Sequence, residues 1–174
     1  SYPATVLGYD HGRDVGLLEF RPGRELFATP VAPASLDPRP GDKLVSVGCS
    51  DGEDAIAWTT TVVRTGVRTG GNAAVIECTY PPAQGRSGGG LHLPDGRVVG
   101  VCNWRDGASR TGGYADGDSI RWILDEHKLR PVAESESVTT WRQKTAGGTP
   151  PAVNVQVGAD TQAKPAASPA PPEA

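Results

Sequence analysis

Methionine is missing from the 174 residues altogether, and the chain begins SYPATV. A complete translation product starts with Met, so a processed form or a fragment of a longer chain is expected. Cysteine is scarce. Cys49, Cys78 and Cys102 lie far apart, and no CxxC occurs. A structural zinc site therefore has no support, and an odd count leaves at least one thiol unpaired within the chain. No apolar run is long enough to cross a membrane. The 17 Lys and Arg residues are scattered and the net charge is -3. The basic footprint of a nucleic-acid binder is thus absent, and nucleic acid is not an expected partner.

Glycine (23) and proline (16) are plentiful, and 37% of residues are hydrophobic. That suffices for one ordinary domain with a core, rich in turns and short elements, which suits an all-β fold. PATVLGY (3–9) and VGLLEF (15–20) read as short strands around a polar turn, DHGR. Five prolines in 21–42 argue for an extended connection. Strands are expected at 43–49, 55–67, 73–80, 91–93 and 97–104, with turns at TGGN (69–72) and PDG (94–96). SIRWILDEHKL (119–129) changes to helical spacing, with Asp118 or Ser119 as cap and Pro131 as stop. From Ala146 the chain is mostly Gly, Pro, Ala, Val and Thr, a composition that cannot offset its ordering entropy.

QGRSGGG (84–90) sets one hydroxyl among glycines. A serine hydroxyl attacks a carbonyl only with a base in reach and donors for the developing oxyanion. A glycine two residues before it can turn its N–H inward beside the serine's own. Glycines after it let the backbone approach a substrate. Taken alone, the stretch fits a glycine-rich turn with an incidental serine equally well.

Its surroundings carry more. RSGGG followed by Leu91, the PDG turn and VVGV resembles the nucleophile region of trypsin-like serine proteases. ATVLGYDHGRDVGLL (4–18), PRPGDKLVSVG (38–48) and IECTYPPAQGRS (76–87) are closest in style to the HtrA/Deg-like bacterial branch, in the right order. The resemblance implies an all-β, trypsin-like double β-barrel. Residues 1–20 would end the first barrel, 21–42 connect the barrels, and 43–130 form the second barrel with its C-terminal helix. Residues 131–174 would be a Pro/Ala-rich flexible tail or linker. It implies a serine endopeptidase working through a Ser87 acyl-enzyme, with Asp14, not Asp10, orienting the general-base histidine. Gly85 and Ser87 would supply the oxyanion-hole N–H groups, and Thr79, Asn103 and Trp104 would contact substrate. The expected partner is a polypeptide substrate, with no metal or cofactor. A periplasmic or secreted setting is implied by the family, and a homo-oligomer through other regions stays open. HtrA-like relatives often carry a PDZ domain and trimerise. No PDZ-like pattern follows here, so no chaperone role is carried over.

The departures are as informative. The triad order His, Asp, Ser puts the histidine well before Asp14, upstream of Ser1. His11 is too close in sequence to Asp14 to cross a cleft, His92 reads as a strand residue, and His127 sits at a helix end. Arg86 stands where Asp or Asn usually precedes the nucleophile, and Gly90 where proline usually follows SGG, which would soften the loop. Thr79 replaces an aspartate, and no acid lies between 78 and 87, so nothing supports a Lys or Arg preference. The alternative is a non-catalytic protease-fold module that binds peptides or partner proteins.

Overall fold

The computed structural model describes residues 2–23, 26, 28–68 and 74–134. The expected turn at 69–72 and residues 135–174, most of the expected tail, lie outside the described residues.

Strands β1 (Ala4–Asp10) and β2 (Val15–Phe20) form an antiparallel ribbon. Its two faces differ. Val15 is buried in a small cluster with Ala115 and Ile123, against which Val101 and Trp122 pack. Val6 pairs with Leu18, and Ala4 with Phe20, yet Val6, Leu18 and Phe20 are all exposed. Two strands alone cannot cover both of their faces or their edges.

The proline-rich connection that follows holds a 3-10 turn, Ala34–Leu36. It is fastened to the next domain. The Ala32 N–H donates to Val98 O at 2.8 Å, and the Val98 N–H to Pro30 O at 2.9 Å.

Six strands then close into a barrel: β3 (Lys43–Gly48), β4 (Ile56–Arg68), β5 (Ala74–Thr79), β6 (Gly90–His92), β7 (Val98–Asp106) and β8 (Thr111–Ala115). Their spatial order is β3-β4-β5-β8-β7-β6, every neighbour antiparallel, with β3 paired to β6. Closure removes the free edges that the ribbon retains. Leu44, Val62, Ile76, Leu91, Val99 and Tyr114 fill the interior. The molecule is thus all-β with one closed barrel, a partial second sheet and a C-terminal helix, a partial double β-barrel of trypsin-like type.

Strand β8 is absent from the sequence expectations because TGGYA carries two glycines, which are poor strand formers. The structure gives them a packing reason. A Cβ on Gly112 would fall 2.2 Å from Pro82 Cδ, and one on Gly113 would fall 2.1 Å from the Trp104 ring.

Helix α1 (Gly117–Glu126) begins earlier than expected, and its cap is neither Asp118 nor Ser119. Asp116 Oδ1 accepts from the Ser119 N–H and hydroxyl, each at 2.9 Å. The helix ends before Pro131. Lys128 takes φ +56°, its N–H donates to Asp125 O at 2.9 Å, and the Leu129 N–H reaches back to Leu124 O at 2.8 Å. This is a Schellman closure with lysine in the usual glycine position. Pro131 instead lies in a short second helix, α2 (Arg130–Ala133). Ala133 O accepts from the Val31 N–H at 2.9 Å, tying α2 to the connection.

Candidate active site

Ser87 stands between two overlapping turns. The Arg86 N–H donates to Ala83 O at 3.3 Å, and the Gly89 N–H to Arg86 O at 2.8 Å. Gly85 (φ +90°) and Gly88 (φ +82°) occupy the third positions of these turns, where a side chain would be strained. Gly89 is required for space, since a Cβ there would lie 2.5 Å from Val47 O. Gly90 does not soften the loop. It is the first residue of β6 and pairs with both Val47 and Val101.

The loop is fastened to the barrel on two sides. The Gly88 N–H donates to Cys102 O at 2.9 Å, and the Cys102 N–H to Gly89 O at 2.8 Å. The Asp51 N–H donates to Gln84 O at 2.8 Å. Within this frame Gly85 and Ser87 are exposed. Their N–H groups and the Ser87 hydroxyl have no hydrogen-bond partner among the described residues.

Arg86 turns the opposite way and is the largest fully buried side chain described, 1% exposed. Its Nη1 donates to Gly48 O at 2.8 Å, and its Nη2 to Ser46 O at 2.9 Å and Ser46 Oγ at 3.2 Å. Ser46 Oγ also accepts from the Tyr114 hydroxyl at 3.0 Å. The guanidinium carbon lies 3.5 Å from the centre of the Trp58 ring. Burial pulls the Arg86 pKa down, while neighbouring Tyr114, Cys102 and Cys49 oppose that. Sequence reasoning registered Arg86 only as a departure. Its signal was the unusual residue itself, but its partners on β3 and β4 lie about 30 to 40 residues away.

A cavity of about 230 Å³ opens beside Ser87. Pro82, Gln84 and Gly85 line one side, and Asn103, Trp104 and Arg105 the other. Arg105 is the only charged residue in this lining, and no carboxylate belongs to it. Asn103 is the extra residue of a bulge between Cys102 and Trp104, a device that re-aims a side chain. Thr79 does not line the cavity. It ends β5, where its Oγ1 accepts from the Thr61 N–H at 3.0 Å and lies 3.2 Å from Thr60 Oγ1.

All three cysteines are free, with Cys49 exposed and the other two buried. Burial pushes the Cys78 thiol up to about 12, against a hydrogen bond from Thr60. It also raises Cys102, against the pull of Arg86. Neither thiol is activated as a nucleophile. No cluster of metal-ligating side chains occurs among the described residues.

Asp14 is exposed, at φ +52°, just before β2. Asp10 instead caps the turn, accepting from the Arg13 N–H at 2.7 Å. The Asp14 carboxylate has no hydrogen-bond partner among the described residues. The histidines are occupied elsewhere. The His11 ring centre lies 4.9 Å from that of Tyr9, and His92 Nδ1 lies 3.0 Å from Gly96 O. His127 caps α1, with its ring against Gly8. The structure therefore gathers Ser87, Gly85, Asn103 and Trp104 around one cavity, with Asp14 on the neighbouring ribbon.

Residues 1–101 match the profile of the family described as "Trypsin-like peptidase domain". No curated protein matches the chain. Among solved structures, the Rv3671c protease in an inactive form is similar, with 23% identity and a TM-score of 0.57 over 72% of this chain and 66% of that one. A serine-to-alanine mutant of Rv3671c from M. tuberculosis H37Rv, also in an inactive form, gives 22% identity and a TM-score of 0.56 over 72% and 64%. At such identity the likeness is one of fold. The chain spans about two thirds of the length of these structures.

Proposed function

Because the chain belongs to the family of trypsin-like peptidase domains, we propose that it carries the nucleophile of a serine endopeptidase. Ser87 Oγ attacks the scissile carbonyl. The Gly85 and Ser87 N–H groups receive the oxyanion, and the acyl-enzyme that forms is released by water. One observation carries the reading. Ser87 is exposed between two glycines of positive φ, beside a cavity, with the Gly85 and Ser87 N–H groups unpartnered among the described residues.

Serine needs a base, and among the described residues no histidine lines the cavity beside Ser87. The base is proposed to come from a histidine elsewhere in the full-length protein, oriented by Asp14 across the cleft. The HtrA-like style of the motifs supports that order of residues. Asn103 and Trp104 would hold the substrate backbone and wall the pocket for the side chain before the cleaved bond. With Arg105 as the only charge in its lining, the cavity is suited to neutral or acidic side chains and unsuited to Lys or Arg.

The lack of a histidine in the cavity lining, among the described residues, also favours a second reading, a protease-fold module that binds peptides without cleaving them. Peptide hydrolysis by the full-length protein separates the two. Ser87→Ala should lower kcat/KM by about a thousandfold or more. Hydrolysis that survives this substitution, or is absent from the unmodified protein, would overturn the enzymatic reading.

A further inference from the structure

Arg86 is a buried cation with no carboxylate partner among the described residues. Carbonyl groups and hydroxyls surround it: Ser46 O and Gly48 O from β3, Ile56 O from β4 at 3.4 Å from either terminal nitrogen, and the hydroxyls of Ser46 and Ser50. Trp58 covers its face at 3.5 Å. Tyr114, from β8, reaches the same Ser46 hydroxyl. A rigid planar fork can meet several fixed acceptors together with an aromatic face, which a lysine ammonium cannot.

These contacts begin one residue before Ser87. The Arg86 carbonyl also accepts from the Gly89 N–H, closing the turn that carries the serine. Both ends of the residue are therefore committed, the side chain to β3 and β4 and the backbone to the turn.

We propose that Arg86 is the positioning residue of the Ser87 loop. It acts as a latch inside the barrel that fixes the turn by caging a guanidinium between strand carbonyls and Trp58. Its consequence for catalysis rests on the acyl-enzyme reading; the latch itself does not. No chain terminus and no partner carboxylate is needed to hold the loop. Its order is built into the folded barrel.

Hydrogen exchange of the full-length protein, resolved at single amides, tests this without requiring catalysis. In Arg86→Met the Gly88 and Gly89 amides should lose at least about tenfold more protection than the Ile76 and Tyr114 amides of the β5–β8 ladder. Arg86→Lys should restore this only in part. An equal loss at loop and ladder, or no loss at the loop, would overturn the latch. If Arg86→Met does not fold, two further measurements decide. Trp58→Leu should loosen the same two amides by a smaller factor, and an unchanged loop would count against the latch. In the unmodified protein the Arg86 Nη protons should give separate, slowly exchanging NMR signals, whereas a single solvent-averaged signal would contradict the cage. The two readings fail separately. A wild-type protein that hydrolyses no peptide removes the enzymatic reading and leaves the exchange pattern to decide the latch. In an active protein, Arg86→Met should lower kcat about tenfold or more with KM little changed. An equal loss of both protection classes in an active enzyme removes the latch alone.

Discussion

Arg86 and Arg121 are both withdrawn from solvent, at 1% and 2% exposure, and the fold meets them in opposite ways, with Arg86 Nε left without a partner among the described residues. Arg121 lies on α1 at the seam with the interbarrel connection. It meets Asp37 through both terminal nitrogens at 2.9 and 2.7 Å, Asp118 at 2.6 Å, and Ala32 O at 3.1 Å. Burial would lower its pKa, but the two carboxylates outweigh this and raise it. Arg86 has carbonyls, hydroxyls and an indole face, and burial pulls its pKa down. A charge met by carboxylates joins two elements. A charge met by carbonyls fixes the position of its own backbone and leaves a positive field in the barrel. Arg121 thus serves the assembly of the fold, and Arg86 the shape of one loop.

The comparison breaks most visibly at Arg121. Arg121→Met should destabilise the protein by about 2 kcal/mol, because it removes the buried cation that Asp37, Asp118 and Ala32 O accept from. The exposure of Asp37 and Asp118 keeps the loss below that of a wholly buried pair. Urea unfolding reads this directly. The exchange pattern should stay uniform, without the selective loosening of Gly88 and Gly89 expected for Arg86→Met.

A second substitution tests space rather than charge. Gly89→Ala would place a methyl against Val47 O, with a cost of about 1–3 kcal/mol typical of overpacking. It should also loosen the Ser87 turn. Gly107→Ala, in open space, should leave stability nearly unchanged in the same unfolding assay.

Third comes a carboxylate on β5. Burial would raise Glu77, but hydrogen bonds from Thr111 and Arg64 together hold its pKa below the ordinary value. A depressed carboxyl contributes stability above its unfolded pKa and loses it as pH falls through the folded pKa. Acid titration of the unfolding midpoint should therefore be flatter below the ordinary carboxylate range in Glu77→Gln than in the unmodified protein.

Much of this architecture was legible from local pattern. Alternating β-branched residues located β1 to β5 and β7, and helical spacing located α1. The nucleophile candidate came from RSGGG and its flanks. What stayed hidden depends on contacts between distant residues. Strand β8 was invisible because Gly112 and Gly113 make room for Pro82 and Trp104, which no local propensity reports. The end of α1 was misplaced because a lysine adopts the conformation usually left to glycine. Arg86 read as a defect because its acceptors belong to β3 and β4. Local pattern marks the elements, while barrel closure decides which side chains meet.

The most direct test of Ser87 as nucleophile is covalent. The full-length protein would be treated with a fluorophosphonate, digested, and mapped by mass spectrometry. The account predicts a single adduct on the peptide bearing Ser87, lost in Ser87→Ala and retained in Ser109→Ala. An adduct on another residue, or an adduct that persists in Ser87→Ala, would contradict it.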